Sequence, residues 1–243
     1  QMRESVKAHH ERGGVITFSW HPRNPLTGGD TWDTSSTEVV ASIIPGGSNH
    51  EMFMGWLRKA ADYLESLKTD DGRMIPVIFR PWHEHTKNYF WWGQDWCTTE
   101  QYKALWSMTY DYMTKERGLD HLVWSYSPDS CGSDPLDVVE RYPGDGIVDM
   151  IGVDFYQFTE NEVYVERMKY SLDAGKGAEG IVCNTDVHST SVTALVRCII
   201  INLNGVIHIE FAVKLNDTGC PERVSVGHCH NNAVVFPTLE KIV

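Results

Sequence analysis

The chain is short of basic charge, of long apolar runs and, beyond its middle, of large aromatic rings. Lys and Arg number 21 against 33 Asp and Glu, giving a formal net charge of -12 and a pI near 5.3. Such a surface repels a phosphate backbone and no basic stripe interrupts it, so nucleic acid is excluded as a partner; a neutral polymer is compatible. The longest apolar run, Ala194 to Ile201, is too short to cross a bilayer and is broken by Arg197, so no membrane-spanning segment is expected. No stretch at the start has signal-peptide character; QMRESVKAHHERGG reads as the inside of a helix running to a Gly-Gly stop. Six cysteines, none in C-x-x-C spacing, do not make a disulfide framework at this length. His228, Cys229 and His230 are the densest group of soft ligands, but no second cluster stands at finger-like spacing, and ordinary surface or core residues are the better reading. There is no repeat and no low-complexity tract.

The scarcity of aromatics is confined to one end. All nine Trp and all ten Tyr stand at or before Tyr170; at the density of residues 1–170, residues 171–243 would hold about eight more, and they hold none. That stretch does hold Cys183, Cys198, Cys220 and Cys229, four of the six cysteines. Composition therefore divides the chain into residues 1–173 and a tail, 174–243. The tail is expected to be unrelated to what precedes it, as a shifted reading frame or a misjoined gene would leave it.

What is present is a globular composition, 42% hydrophobic and 22% charged, with strand-like and helix-like segments in alternation. GVITFSW (Gly14–Trp20), MIPVIFRPW (Met74–Trp82), HLVWSYSP (His121–Pro128) and VDMIGVDFYQ (Val148–Gln157) are apolar, β-branched or aromatic runs and predict strands. Residues 49–68 place Phe53, Trp56, Leu57, Ala60, Tyr63, Leu64 and Leu67 at spacings of three and four, predicting an amphipathic helix with Asn49 as its N-cap. Residues 98–118 open on a capping box and stop at Gly118, predicting a second helix; Asn161–Asp173 begins a third. Apolar strands alternating with helices imply a parallel sheet covered by helices. Polar and aromatic residues gather after each strand, in HPRNP, HEH, SPDS and FYQF. Chemistry at the C-terminal strand ends suits an open doubly wound sheet or a (β/α)₈ barrel, and the lack of a Gly-rich phosphate loop favours the barrel.

The densest of these clusters is RPWHEHTKNYFWWG, residues 80–93. His-Glu-His at a strand end differs from the His-Glu-x-x-His of helical zinc sites. If the strand continues, His83 and His85 share one face and Glu84 the other, and a metal would need a third ligand from elsewhere. The alternative, a solvated loop carboxylate at Glu84, is weakened by its surroundings: Trp82, Tyr89, Phe90, Trp91 and Trp92 all lie within eight residues of it. Aromatic surroundings remove hydration from a carboxylate and favour its acid form, which general-acid work near neutral pH requires. Tyr and Trp faces also offer stacking surfaces for sugar rings.

SWHPRNPLTGGDTWD (Ser19–Asp33), IFRPWHEHTKNYFWWG (Ile78–Gly93), LVWSYSPDS (Leu122–Ser130) and VDMIGVDFYQ together resemble glycoside hydrolase family 26, in order, over about residues 1–170. The resemblance implies a (β/α)₈ barrel of α/β class, with only strands three to six recognisable here, and a retaining hydrolase of β-1,4-mannosidic bonds in mannan, galactomannan or glucomannan. It makes Glu84 the acid/base after the fourth barrel strand and His83 the residue that orients it. His21 would contact the sugar in the cleavage subsite. Arg80, two side-chain steps deeper on Glu84's face, would balance a second carboxylate, with a structural salt bridge as the alternative. Tyr156 would stand near the nucleophile, with Asp154 in support or in a structural role. Tyr89, where the family more often has Trp, keeps a stacking face; Trp92 and Trp91 would line the cleft, at least one of them as core. No metal or organic cofactor is implied. The partner would be a β-mannan polysaccharide or oligosaccharide, and the protein a monomer, secreted, periplasmic or at the cell surface.

The nucleophile belongs on the seventh strand, in a TETG-like stretch. From about Ala174 no such stretch and no strand of that kind is read; Glu210, in VIHIEFAVKL (Val206–Leu215), is a weak substitute with an ordinary strand residue as its alternative. An inactive, truncated relative that binds mannan is therefore the second reading.

Overall fold

The computed structural model describes residues 2–129 and 140–154, together with the segments 181–186, 193–202, 205–215 and 221–226; from residue 153 onward it describes the backbone alone. Helix α1 (Met2–Glu11) leads into strand β1 (Ile16–Ser19), followed by α2 (Val39–Ile43), α3 (His50–Glu65), β2 (Val77–Arg80), α4 (Thr99–Tyr110), a π-helical turn (Asp111–Glu116), β3 (Leu122–Tyr126) and β4 (Met150–Asp154). Four more strands complete the series: β5 (Ile181–Asp186), β6 (Thr193–Asn202), β7 (Gly205–Leu215) and β8 (Pro221–Val226). They form one sheet in sequence order. β1 to β5 are parallel, and β6, β7 and β8 return antiparallel.

Local chemistry explains the elements. Thr98 caps α4 reciprocally: its hydroxyl accepts from the Gln101 amide at 3.2 Å, and the Gln101 side chain accepts from the Thr98 amide at 3.0 Å. Gly118, at φ 66, supplies the left-handed turn after the π-helical segment. Asn49 stands at the N-cap of α3, but its side chain makes no capping bond and reaches the Pro25 carbonyl instead. α3 buries Phe53, Leu57, Ala61 and Leu64 on one face, against a core that includes Val77 and Phe79 of β2 and Leu122 and Trp124 of β3. Full burial of each large apolar side chain is worth roughly 1.5–3 kcal/mol, so this face fixes the helix to the sheet.

Two expectations change. A parallel strand does follow residue 174: β5 pairs with β4 from Met150↔Ile181 to Asp154↔Asp186, with a register shift at its end. Glu210 lies mid-strand in antiparallel β7, opposite Arg197, and not at a C-terminal end of the parallel strands. The third predicted helix, Asn161–Asp173, and Tyr156 lie outside the described residues, as does the His228–Cys229–His230 group.

Candidate active site

The C-terminal ends of β1, β2 and β3 carry the site. β2 stops at Arg80 because Pro81 has no amide to donate to a neighbouring strand. The alternation predicted for His83, Glu84 and His85 therefore does not hold, nor does a shared face for Arg80 and Glu84. Trp82 and Glu84 both take positive φ, 53° and 54°, so the chain turns twice around His83. A left-handed non-glycine residue costs of order 1–3 kcal/mol and persists only where its surroundings hold it.

Here they hold it through four successive carbonyls. Tyr102 Oη donates to the Trp82 carbonyl at 2.6 Å, Trp92 Nε1 to that of His83 at 2.8 Å, the Lys87 amide to that of Glu84 at 3.1 Å, and the Gln94 amide to that of His85 at 2.8 Å. The Glu84 amide donates across to the Ser127 carbonyl at 2.7 Å. Glu84 is 6% exposed.

The two histidines diverge. His83 is buried, with its Nε2 3.0 Å from Nε2 of exposed His21 and the ring centroids 4.5 Å apart, so one ring donates and the other accepts. His85 is enclosed between Tyr102 and Tyr126, at centroid distances of 4.7 and 5.1 Å. Burial drives both far below the ordinary imidazole pKa, assisted by Arg80 and His21 for His83 and by Arg141 for His85; both are neutral. Because the rings occupy different surroundings they form no two-histidine ligand pair. Among the described residues no group of three or more His, Cys, Asp or Glu is arranged to hold a metal ion.

The rim is aromatic. Trp32 is 61% exposed and Tyr89 53%, with Phe90 between them at centroid distances of 6.1 and 6.4 Å, and His21 touches both Trp32 and Phe90. The sequence reading missed Trp32 as a site residue; its only signal was a lone large ring in a Gly-Gly-Asp loop, with no periodicity to explain it. Trp92 and Trp91, read as cleft residues with at least one of them as core, are both core: neither has exposed surface. Trp92 stacks on Phe90 at 4.6 Å and anchors the His83 carbonyl, so it supports the rim from behind. Arg80 is likewise buried, at 2%, with Nη1 donating to the Ser127 hydroxyl at 3.4 Å. Asp154 ends β4, and its register partner Asp186 ends β5. A separate cavity of about 360 Å³ opens among Pro45, His50, Met54, Met108, Asp111 and Tyr112, on the helices, and shares no residue with these strand ends.

A buried carboxylate in a strained strand-end loop, beside a paired histidine and an exposed ring surface, joins the motifs noted above. The profile of glycosyl hydrolase family 26 matches residues 1–184. The chain belongs to glycosyl hydrolase family 26.

Its parallel strands are accordingly those of an incomplete (β/α)₈ barrel. A GH26 β-mannanase from Bacteroides ovatus superposes with a TM-score of 0.72 at 45% identity, over 76% of this chain and 55% of that one. The mannan endo-1,4-beta-mannosidase of Bacillus subtilis is 36% identical over 159 residues, 62% of this chain and 42% of that protein. That of Bifidobacterium adolescentis is 35% identical over 156 residues, 64% of this chain and 15% of the relative. The chain thus spans less than half the length of either curated relative. The family match runs past residue 173, where composition alone drew the boundary, and takes in the first part of β5. Among the described residues no helix is long and apolar enough to cross a membrane.

Proposed function

We propose that this chain is a retaining endo-hydrolase of β-1,4-mannans, with Glu84 as its acid/base. Burial of Glu84 beside an exposed ring surface carries the reading: a shielded acid can protonate a glycosidic oxygen, while Trp32, Tyr89 and Phe90 offer faces on which sugar rings stack. His21 and His83 orient the sugar and the acid, and Arg80 balances carboxylate charge from below. In the first step Glu84 gives its proton to the leaving oxygen while a carboxylate attacks the anomeric carbon. In the second, Glu84 takes a proton from water as the glycosyl-enzyme ester is hydrolysed.

The attacking carboxylate is assigned to Asp186, at the end of the parallel strand after β4, with Asp154 and Tyr156 in support. The hydrolase unit then extends through β5, and β6 to β8 are an addition to it. Mannans are extracellular polymers, so the protein acts outside the cytoplasm, as a monomer.

Reducing ends released from galactomannan or mannohexaose test the activity, with Glu84→Gln in parallel. General-acid loss lowers turnover by about 10²–10⁴-fold. Turnover that survives Glu84→Gln removes the acid/base assignment. Binding of mannohexaose with no turnover by the unmutated chain favours the second reading, an inactive mannan binder.

A further inference from the structure

Residues 22–33 lie between β1 and α2 and carry Trp32 on the rim, 61% exposed, on a segment with no helix or strand to stiffen it. Both chain neighbours of that ring are nevertheless tied down. Before it, the Thr31 hydroxyl donates to the Pro22 carbonyl at 3.0 Å, and the Trp91 amide donates to the Thr31 carbonyl at 3.3 Å. After it, Asn24 Nδ2 donates to the Asp33 carbonyl at 2.8 Å. Asn24 is fully buried and uses both ends of its amide, since Oδ1 accepts from the backbone amides of Leu26 at 2.9 Å and Thr27 at 3.1 Å. Its backbone closes the same turn: the Asn24 amide donates to the Gly29 carbonyl at 3.1 Å, and the Gly28 amide donates to the Asn24 carbonyl at 3.0 Å. We propose that Asn24 is a positioning residue for substrate, holding the Asp33 side of this loop so that Trp32 stands ready as a sugar platform. This rests on the stacking surface given to Trp32 above.

The residue type fits the task. A short side chain that accepts two backbone N–H groups and also donates to a carbonyl must be an amide; an ionised Asp cannot donate, and a Ser is too short to span the loop. Trp91 extends the hold. Its Nε1 donates to the Pro22 carbonyl at 3.1 Å, and it belongs to the segment after β2 that also carries Glu84. The platform is therefore fixed against the acid's own loop as well as against its base. Such preorganisation acts on binding, because a ring already held costs less to order when a sugar settles on it. Proton transfer from Glu84 is a separate step and does not draw on it.

Two measurements read this. With the chain labelled by 5-fluorotryptophan, the Trp32 fluorine signal is the one absent in Trp32→Phe. Asn24→Ala should shift and broaden that signal while those of buried Trp82, Trp106 and Trp124 keep their positions, a contrast that a general loss of stability would not produce. In mannohexaose kinetics, Asn24→Ala should raise KM by about 2–10-fold and leave kcat within about twofold. The rise should vanish in a chain that already carries Trp32→Ala, because Asn24 acts through that ring. An unmoved Trp32 signal, or a KM rise that persists in full beside Trp32→Ala, overturns the proposal. If Asn24→Ala does not fold, Asn24→Ser decides by the same two readings: its hydroxyl can still accept from the Leu26 and Thr27 amides but cannot hold the Asp33 carbonyl. If the unmutated chain does not turn mannohexaose over, its Kd takes the place of KM. If it does not bind mannohexaose either, the stacking reading of Trp32 falls and the substrate role with it, whereas the fluorine signal still shows whether Asn24 holds the ring.

Discussion

Replacing Tyr102 by Phe removes one oxygen and leaves the ring, and that oxygen is a joint between helix and loop. It donates to the Trp82 carbonyl at 2.6 Å and accepts from Trp106 Nε1 at 3.0 Å, with all three residues buried. Burial raises the hydroxyl's pKa well above 10, so it remains a neutral donor at every working pH. The ring shape is kept, so no cavity contributes; the loss comes from a carbonyl and an indole N–H left without partners. Each such orphan costs about 1–3 kcal/mol, and about 3 kcal/mol is expected for the two together. In a domain of this size that lowers the thermal midpoint by roughly 6–12 °C. Trp82 also sits at φ 53 and depends on this anchor, so turnover should fall beyond what the lost stability explains. Chemical denaturation of Tyr102→Phe, Trp106→Phe and the double variant checks the reasoning. The double variant should be less destabilised than the two single effects added, because removing both partners leaves one orphan fewer. A Tyr102→Phe variant within about 0.5 kcal/mol of the unmutated chain, with unchanged turnover, would refute it.

Other outcomes can be stated briefly. Trp32→Ala should raise KM for mannohexaose several-fold with a smaller change in kcat, and shift stability by no more than about 0.5 kcal/mol, since the ring is exposed; an unchanged KM removes Trp32 from the cleft. Asp186→Asn should abolish turnover, and a 2-deoxy-2-fluoro mannosyl ester found by mass spectrometry on any other residue refutes its role. Stability should fall as pH drops below about 6.5. His83 and His85 are neutral in the folded chain, whereas the unfolded chain takes up their protons there, which gives up to about 1.4 kcal/mol per pH unit for each. Thermal midpoints between pH 8 and 5 measure that slope, and His85→Phe should flatten it; an unaltered slope shows that His85 is not the source.

The parts of the fold legible in the sequence were those set by short-range chemistry. Thr98 and Gln101 announced α4, spacings of three and four announced the buried face of α3, and β-branched runs announced β1 to β4. β5 carries the same kind of signal in Ile181 and Val182 after Gly180, but the loss of Trp and Tyr around it masks that signal. The conformation of the Glu84 loop is not legible from alternation, which ends at Pro81, where a strand must lose its donor. Nothing local predicts that Trp82 and Glu84 turn left-handed; tertiary anchors from α4 and from Trp92 impose it. Asp129 stands in plain view in SPDS, yet only the fold buries it and sets it beside Glu84's segment.

The anchoring of the Trp82 carbonyl by a hydroxyl on α4 ties the fate of a strand-end loop to a helix on the outside of the sheet. Loop and helix should therefore open together, and the amides of residues 82–87 should exchange with solvent at the pace of α4 rather than at that of an exposed turn. A graft that moved residues 80–93 to another barrel without Tyr102 and its helix would carry the acid but not its aim.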